Sequence, residues 1–209
     1  MSEIIDFFFG QYKTYSTTDT TLEIIAVIFG FLSVWFSKQN KIWVFPTGMI
    51  STAIFVYLLF KWELLGDMMI NAYYFIMSVY GWYIWTRKVD ETHVTQISKT
   101  TLKEKKTAII IFITTLVFVY IVYNYFDKWT SWVAYADTIT TAIFFVGMWL
   151  MAKRKIENWL FWIVGNIISV PLYFYKGFTF TSLQYLGFTF IAIFGYLAWK
   201  KNLHNNLSI

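Results

Sequence analysis

Two indoles and an amide share one face of a predicted helix in the second half of the chain. Trp159, Trp162 and Asn166 stand at helical spacing, within an arc of about 60°. Indole rings make flat apolar walls that attract cations over their faces, and an amide supplies orienting hydrogen bonds. A pocket of this composition suits a flat, heterocyclic, hydroxylated solute.

Three further helical faces carry polar groups inside apolar segments, where such groups are costly and face a bundle interior or a cavity. Their members are Asp67, Asn71, Tyr74 and Ser78 in one segment, Thr181, Gln184 and Phe188 in another, and Trp43, Thr47 and Ser51 in a third. A carboxylate such as Asp67 can pair with a cation or accept hydrogen bonds from sugar hydroxyls. These faces extend the predicted solute site to several helices.

Each of these groups also has a purely structural interpretation. Asn166 and Gln184 can be interhelical hydrogen-bonding groups that hold helices together. Asp67 can be a solvated residue at a helix start, where the helix dipole favours it. The residues that lie where an aromatic belt is expected are Trp82, Trp85, Trp159 and Trp162. Spacing alone leaves both interpretations open.

The composition is that of a polytopic membrane protein. The 209 residues are 58% hydrophobic and 14% charged, whereas soluble domains have about 45–50% apolar and about 25% charged residues. Aromatic residues make up 23% of the chain. There is no cysteine, which excludes disulfides and thiolate metal sites, and no cofactor or metal is expected.

Seven apolar segments are long enough to cross a bilayer, for which about 20 residues are needed. They are residues 21–37, 42–60, 66–86, 107–126, 135–152, 157–175 and 179–200. Residues 1–20 lack the basic start and cleavage site of a signal peptide and are predicted to lie at the interface. Residues 201–209 form a short tail. The sequence therefore predicts an all-α integral membrane protein.

The basic residues are distributed unequally between the two sides of this predicted bundle. Of the 17 Lys and Arg residues, 4 fall on the side of the N-terminus and 13 on the other side. Because basic loops mark the cytoplasmic side, we expect the N-terminus outside and the C-terminus in the cytoplasm. The net charge of +5 is then a feature of topology, so the expected partner is the lipid bilayer and not nucleic acid.

The first and last three predicted helices resemble each other. A shift of 116 residues superposes Trp43 on Trp159, and a shift of 114 superposes Gly81 on Gly195. The predicted organisation is a three-helix repeat over 21–86, a loop, linker helix and outer loop over 87–134, and a second repeat over 135–200. A single linker helix makes the two repeats parallel, and transporters of this kind bind substrate between the halves.

Four stretches of the chain resemble the PnuC family of bacterial vitamin transporters, whose best-known members carry nicotinamide riboside. The stretches are Trp43-Val-Phe-Pro-Thr-Gly48, Gly66-Asp-Met-Met-Ile-Asn71, Tyr80-Gly-Trp-Tyr-Ile-Trp85, and Asn158-Trp-Leu-Phe-Trp162 with Asn166. They cover the second, third and sixth predicted helices. The combination of the last two stretches is fairly specific, whereas either one alone is weak.

The resemblance implies a three-plus-one-plus-three fold similar to that of the SWEET sugar transporters, in a bacterial inner membrane. It implies facilitated diffusion, a cytoplasmic kinase that traps the vitamin, and a homotrimer. Trp159 and Trp162 would stack on the substrate and Asn166 would hydrogen-bond it, while Asp67 and Asn71 match the third-helix pattern. Tyr74 and Gln184 are predicted as binding residues only because each shares a helical face with other polar side chains.

Several other functions remain open on the sequence alone. Relatives in the same family carry thiamine or riboflavin, and nicotinamide riboside and thiamine are both flat cations. Coupling to an ion would need titratable groups such as Asp67, Glu23 or Asp137. A scaffold or sensor would use the same polar faces for packing. An integral membrane enzyme has little support, because His93 and His204 are the only histidines and no hydrolase or metalloprotease motif is present.

Overall fold

The structure is a computed structural model that describes residues 16–62, 65–87, 95–127, 129, 131–176 and 179–205. Over these residues the chain forms seven α-helices, which confirms the predicted all-α fold. They are α1 (Thr17–Lys38), α2 (Val44–Lys61), α3 (Leu65–Thr86), α4 (Leu102–Tyr125), α5 (Trp132–Ala152), α6 (Asn158–Tyr175) and α7 (Thr179–Asn205). The interfacial prediction for residues 1–15 and the tail beyond 205 lie outside the described part.

Two helices begin earlier than the apolar runs because polar caps extend them. The Ser16 hydroxyl accepts the backbone N–H of Asp19 at 3.1 Å, so α1 begins at Thr17 and not at 21. Thr101 and Glu104 form a reciprocal capping box at the start of α4. Residues 102–106, which were predicted as loop, are therefore helical.

Five of the described helices, α1, α2, α4, α5 and α7, are long and apolar enough to cross a membrane by length and composition. The other two, α3 and α6, carry most of the Asn, Tyr and Trp side chains that the sequence analysis singled out. These side chains lower the mean hydropathy of α3 and α6. Both helices pack between membrane-spanning neighbours in the bundle.

The helices are arranged as two similar halves. In the first half α1 packs on α2 and α2 on α3, and in the second half α5 packs on α6 and α6 on α7, with α4 against α5. The halves meet where α1 contacts α7 and where α3 contacts α5. The repeat equates α1 with α5 and α3 with α7, so these two contacts are equivalent. The same order of helix contacts therefore occurs in both halves.

Individual contacts recur with a uniform spacing of 114 positions. The ring of Phe45 lies against Gly81, where an added Cβ would be 2.2 Å from it, and the ring of Trp159 lies against Gly195, at 2.6 Å. Asn40 and Arg154, in the equivalent turns after α1 and α5, have φ values of 57° and 58°. The shift of 116 predicted for the second and sixth helices was wrong, since Phe45 and not Trp43 corresponds to Trp159.

Two tryptophans bind the halves together at one end of the bundle. The Trp85 indole donates to the carbonyl of Met151 at 3.2 Å, and the Trp199 indole donates to the carbonyl of Ser37 at 2.9 Å. Trp85 is only 3% exposed. The belt interpretation of Trp85 was therefore wrong. This end, where α1, α3, α5 and α7 finish, is the one with most of the Lys and Arg residues, and we call it the basic end.

Residues 95–101, the described part of the long loop between α3 and α4, are attached to the basic end. Ser98 donates its backbone N–H to the carbonyl of Arg154 at 3.2 Å and accepts the N–H of Ile156 at 3.0 Å. The side chain of Ile97 is buried. Lys155 pairs with Glu104 of α4 at 3.0 Å. The loop thus fixes the start of the linker helix to the turn between α5 and α6.

Replacement of Gly81 or Gly195 with Ala should destabilise the protein. Each added methyl would meet an aromatic ring at less than 3.0 Å, and overpacking of this kind costs about 1–3 kcal/mol. Gly187→Ala is the matched control, because its added Cβ would meet nothing within 4 Å, and Ala favours a helix over Gly. Thermal unfolding of the purified protein in detergent measures all three. Equal losses for Gly187→Ala and Gly81→Ala would contradict this packing.

Candidate functional site: a cavity between the two halves

A cavity of about 230 Å³ lies where the two halves meet. Its lining comes from α1, α2 and α3 on one side and from α5, α6 and α7 on the other. Ligand pockets are usually about 300–1,000 Å³, so this volume suits one small solute. The buried apolar core lies next to the cavity on the side of the basic end, around Trp85, Ile156 and Trp199.

The second half supplies an aromatic wall to the cavity. Phe144 of α5 lies at its centre, 5.4 Å from the Trp162 ring at an interplanar angle of 30° and 6.0 Å from the Tyr185 ring at 11°. Tyr74 reaches the same wall from the first half, 6.4 Å from Trp162. These rings present flat apolar surface and a π-electron density that attracts cations.

Two residues of α6 that line the cavity carry a polar group without a hydrogen-bond partner in the described part of the chain. Asn166 is 3% exposed and lines the cavity, and its amide makes no hydrogen bond to the residues that the structure describes. The indole nitrogen of Trp159, also in the lining, is buried and likewise has no partner there. Buried polar groups usually have a partner, because an unsatisfied donor costs about 1–3 kcal/mol. A bound solute is a suitable partner for the amide of Asn166.

The first half supplies a wall of small residues. At the positions that the repeat relates to Phe144 and Trp162, the first half has Gly30 and Gly48. The added Cβ of Gly48 would lie 3.0 Å from the hydroxyl of Ser33. Large side chains in one half thus correspond to glycines in the other, and this exchange leaves the space that forms the cavity.

Four of the seven predicted site residues line this cavity, and three do not. The lining residues are Tyr74, Trp159, Trp162 and Asn166. Asn71 donates instead to the carbonyl of Asp67 at 3.0 Å within its own helix, Asp67 is exposed, and Gln184 is partly exposed. The spacing had placed these residues on the correct helices but not at the depth of the cavity.

The predicted stacking role of Trp159 does not match its surroundings. Trp159 is 2% exposed, and its outer ring carbons lie over Gly195. Its ring also packs edge-on against Trp199, at 5.6 Å and 89°. Little ring face is left for a solute, so Trp162, which is partly exposed, is the indole of the pair that can stack.

Sequence reasoning missed the cavity residues of α1 and α5. Phe144, Gly30 and Ser33 line the cavity but belong to apolar segments with no polar face to indicate an orientation. The correct repeat spacing of 114 positions would have related Phe144 to Gly30. Tyr185 was also missed, although it directly follows Gln184, which had been predicted instead.

An ion pair at the other end of the bundle is repeated in both halves. Asp19 binds Lys61 at 2.6 Å, and Asp137 binds Lys176 at 2.6 Å. A shift of 114 positions would relate Asp137 to Glu23, whereas the ion pair of the first half uses Asp19, one helical turn earlier. Asp67 lies close enough to Asp137 and Lys176 to interact with them electrostatically. Acidic groups therefore lie on this side of the cavity, outside its lining.

No Lys, Arg, His, Asp or Glu lines the cavity in the part of the chain that the structure describes. Over the same residues, no group of three or more His, Cys, Asp or Glu side chains is placed to hold a metal ion. The cavity can therefore bind a solute through aromatic contacts and neutral hydrogen bonds. Its described lining offers no positive charge to neutralise an anionic group.

Comparison with known proteins assigns the family. Residues 20–201 match the family described as nicotinamide mononucleotide transporter. The nicotinamide riboside transporter PnuC of Escherichia coli is 24% identical, over 85% of this chain and 84% of that protein. The riboflavin/roseoflavin transporter RibM of Streptomyces davaonensis is 22% identical, over 85% of this chain and 83% of RibM.

A solved structure has the same fold. The crystal structure of the vitamin B3 transporter PnuC superposes with a TM-score of 0.65 at 25% identity, and the match covers 88% of this chain and 83% of that one. The resemblance seen in the four sequence stretches is thus confirmed over most of the chain. The protein belongs to the nicotinamide mononucleotide transporter family of membrane transporters.

Proposed function

We propose that this protein carries nicotinamide riboside across the membrane by facilitated diffusion. The observation that carries the proposal is the cavity between the halves, where the aromatic wall around Trp162 and Phe144 adjoins the unpaired amide of Asn166. The name of the relative from Escherichia coli gives the same substrate, and the solved structure is described as a vitamin B3 transporter. The small volume of the cavity agrees with a single nucleoside.

The chemistry of nicotinamide riboside matches the two groups of lining residues. Its pyridinium ring is flat and carries a positive charge, so it can stack on Trp162 and gain from the negative face of the indole. Its carboxamide can exchange hydrogen bonds with the amide of Asn166. Tyr74 would close the aromatic side. Asp67, Asn71 and Gln184 would contact the solute on its way to the cavity, as polar groups outside the lining.

The uncharged lining favours the nucleoside over the nucleotide. A mononucleotide carries a phosphate that needs cationic partners in a buried site, and the described lining offers none. The family description names the mononucleotide, but the cavity supports the riboside that the relatives' names give. Phosphorylation by a cytoplasmic kinase would then trap the solute, because the product no longer fits the uncharged site.

The described lining also supports transport without ion coupling. A coupled proton needs an acidic or basic group near the substrate, and the described lining has no Asp, Glu, His, Lys or Arg. The Asp137 carboxylate, outside the lining, is already bound to Lys176. Net movement would then follow the gradient of the vitamin alone. We place the N-terminus outside and the basic end in the cytoplasm of a bacterial cell, in agreement with the charge distribution.

Riboflavin is the second candidate substrate. The similarity to RibM favours it, since an isoalloxazine ring would also stack on an aromatic wall. Riboflavin is larger, however, and the 230 Å³ cavity suits the smaller nucleoside better. Thiamine is the third candidate, as a flat cation of intermediate size.

We further propose a homotrimer, as the family resemblance implies. The exposed apolar face of α4, which includes Ile109, Ile110 and Ile113 at 52–63% exposure, faces either lipid or a neighbouring copy. Native mass spectrometry of the protein released from detergent should give a mass three times 24.9 kDa. A mass of 24.9 kDa alone would contradict the trimer.

Calorimetric titration of the purified protein distinguishes the candidate substrates. Nicotinamide riboside should bind, whereas nicotinamide mononucleotide should bind at least tenfold more weakly, because its phosphate finds no cationic partner. Riboflavin and thiamine are titrated in parallel. Tighter binding of the mononucleotide than of the riboside would overturn the assignment of the substrate.

A further inference from the structure

Five serine and threonine side chains line the cavity, and all of them belong to the first half. They are Ser33, Ser37, Ser51, Thr52 and Ser78. Each of these hydroxyls donates its proton to a protein acceptor. Ser33 donates to the carbonyl of Val44, Ser51 to that of Ala26, Thr52 to that of Gly48 and Ser78 to that of Tyr74. Ser37 donates to the sulfur of Met151. The four bonds to carbonyls measure 2.7–2.8 Å.

These bonds fix what the hydroxyls can offer to a solute. A hydroxyl has one proton and two lone pairs, and a carbonyl oxygen can only accept. Each proton is therefore already used, and only lone pairs remain for the cavity. These five side chains thus form a wall that accepts hydrogen bonds and does not donate them. Asn166, whose amide has no hydrogen-bond partner among the described residues, lines the cavity from the opposite half.

Two glycines give a solute access to this acceptor wall. An added Cβ on Gly48 would lie 3.0 Å from the hydroxyl of Ser33 and 3.4 Å from that of Ser78, and one on Gly30 would lie 3.2 Å from that of Ser51. A methyl group at either position would cover the oxygens. Glycine at these positions keeps the lone pairs within reach of the cavity.

We propose that this acceptor wall holds the sugar of the transported nucleoside and selects solutes that carry free hydroxyl donors. The inference rests on the proposed function and adds the orientation of the solute. The ribosyl hydroxyls donate to the first half, with Thr52 as the residue that the test isolates. The flat ring stacks on the second half, where its carboxamide meets Asn166. A solute without hydroxyl donors loses this half of the site.

Thr52→Val tests the wall, because valine keeps the shape and removes the acceptor. The readout is the ratio of the binding constants of nicotinamide riboside and its 2′,3′-dideoxy analogue, measured by calorimetry on the purified protein. We expect the wild type to favour the riboside about tenfold, and Thr52→Val to reduce the ratio at least threefold. Thr47→Val is the matched control on α2, since Thr47 bonds to the carbonyl of Trp43 at 2.7 Å and does not line the cavity. It should keep the wild-type ratio.

Gly48→Ala is the second variant, and Gly187→Ala is its control. Gly48→Ala should weaken binding of the riboside at least tenfold relative to nicotinamide, which has no sugar, whereas Gly187→Ala should leave this comparison unchanged. If Thr52→Val and Gly48→Ala both preserve the wild-type ratios, the acceptor wall does not hold the sugar. That result differs from failure of the proposed function, in which the wild type binds no nicotinamide riboside.

Discussion

Replacement of Trp162 with Ala should weaken binding of nicotinamide riboside about thirtyfold or more. Trp162 is the indole whose ring borders the cavity, 5.4 Å from Phe144 and 6.4 Å from Tyr74. Central aromatic residues of binding sites contribute about 2–4 kcal/mol, and 1.4 kcal/mol corresponds to a factor of ten. Calorimetry on the purified variant measures the loss.

Two control variants separate stacking from general damage. Trp82→Ala removes an indole that is 43% exposed and does not line the cavity, so binding should stay within twofold of the wild type. Trp162→Phe keeps a flat ring and should recover much of the affinity. Thermal unfolding checks that each variant is folded. Wild-type affinity in folded Trp162→Ala would show that the solute does not stack on this wall.

Arg154→Met should lower the free energy of unfolding by roughly 3 kcal/mol, since several buried acceptors lose a charged donor at once. Arg154 is 9% exposed in the turn between α5 and α6. It donates from Nε to Oδ1 of Asn40 at 2.9 Å, binds the carbonyl of Thr95, and lies 4.2 Å above the Trp85 ring. The side chain therefore connects both halves and the long loop.

Arg154 keeps its positive charge although its side chain is buried. Loss of water around the guanidinium lowers the pKa of Arg154 to about 10, so the group stays positive at neutral pH. Lys153→Met is the control, because it removes a charge from the neighbouring position and should change the stability by no more than about 0.5 kcal/mol. Unfolding in detergent, followed by tryptophan fluorescence, compares the two. Equal stability of both variants would contradict the role of Arg154 as a connector of the halves.

The helices could be predicted from the sequence because a span needs a long apolar run, and seven such runs are present. The caps at Ser16 and Thr101 explain why α1 and α4 begin earlier than those runs. Helical spacing also identified the face with Trp162 and Asn166, which the structure places at the cavity. Periodicity therefore predicts which face of a helix is polar.

Periodicity does not give the depth of a site along a helix. Asp67 shares a face with Tyr74, but seven residues of helix separate them by about 10 Å, and only Tyr74 reaches the cavity. The apolar residues opposite, such as Phe144, follow from how α5 packs between its neighbours. Burial of Trp85 at 3% likewise depends on contacts between the halves, which no single segment encodes.

Uptake into proteoliposomes tests the central claim most directly. Purified protein is reconstituted without ATP or an ion gradient, and labelled nicotinamide riboside is added outside. We predict saturable uptake that stops when the internal and external concentrations are equal. At subsaturating substrate, uptake by folded Trp162→Ala should fall to the level of empty liposomes. No uptake by the wild type, or accumulation above equilibrium only when a proton or sodium gradient is imposed, would contradict facilitated diffusion through this cavity.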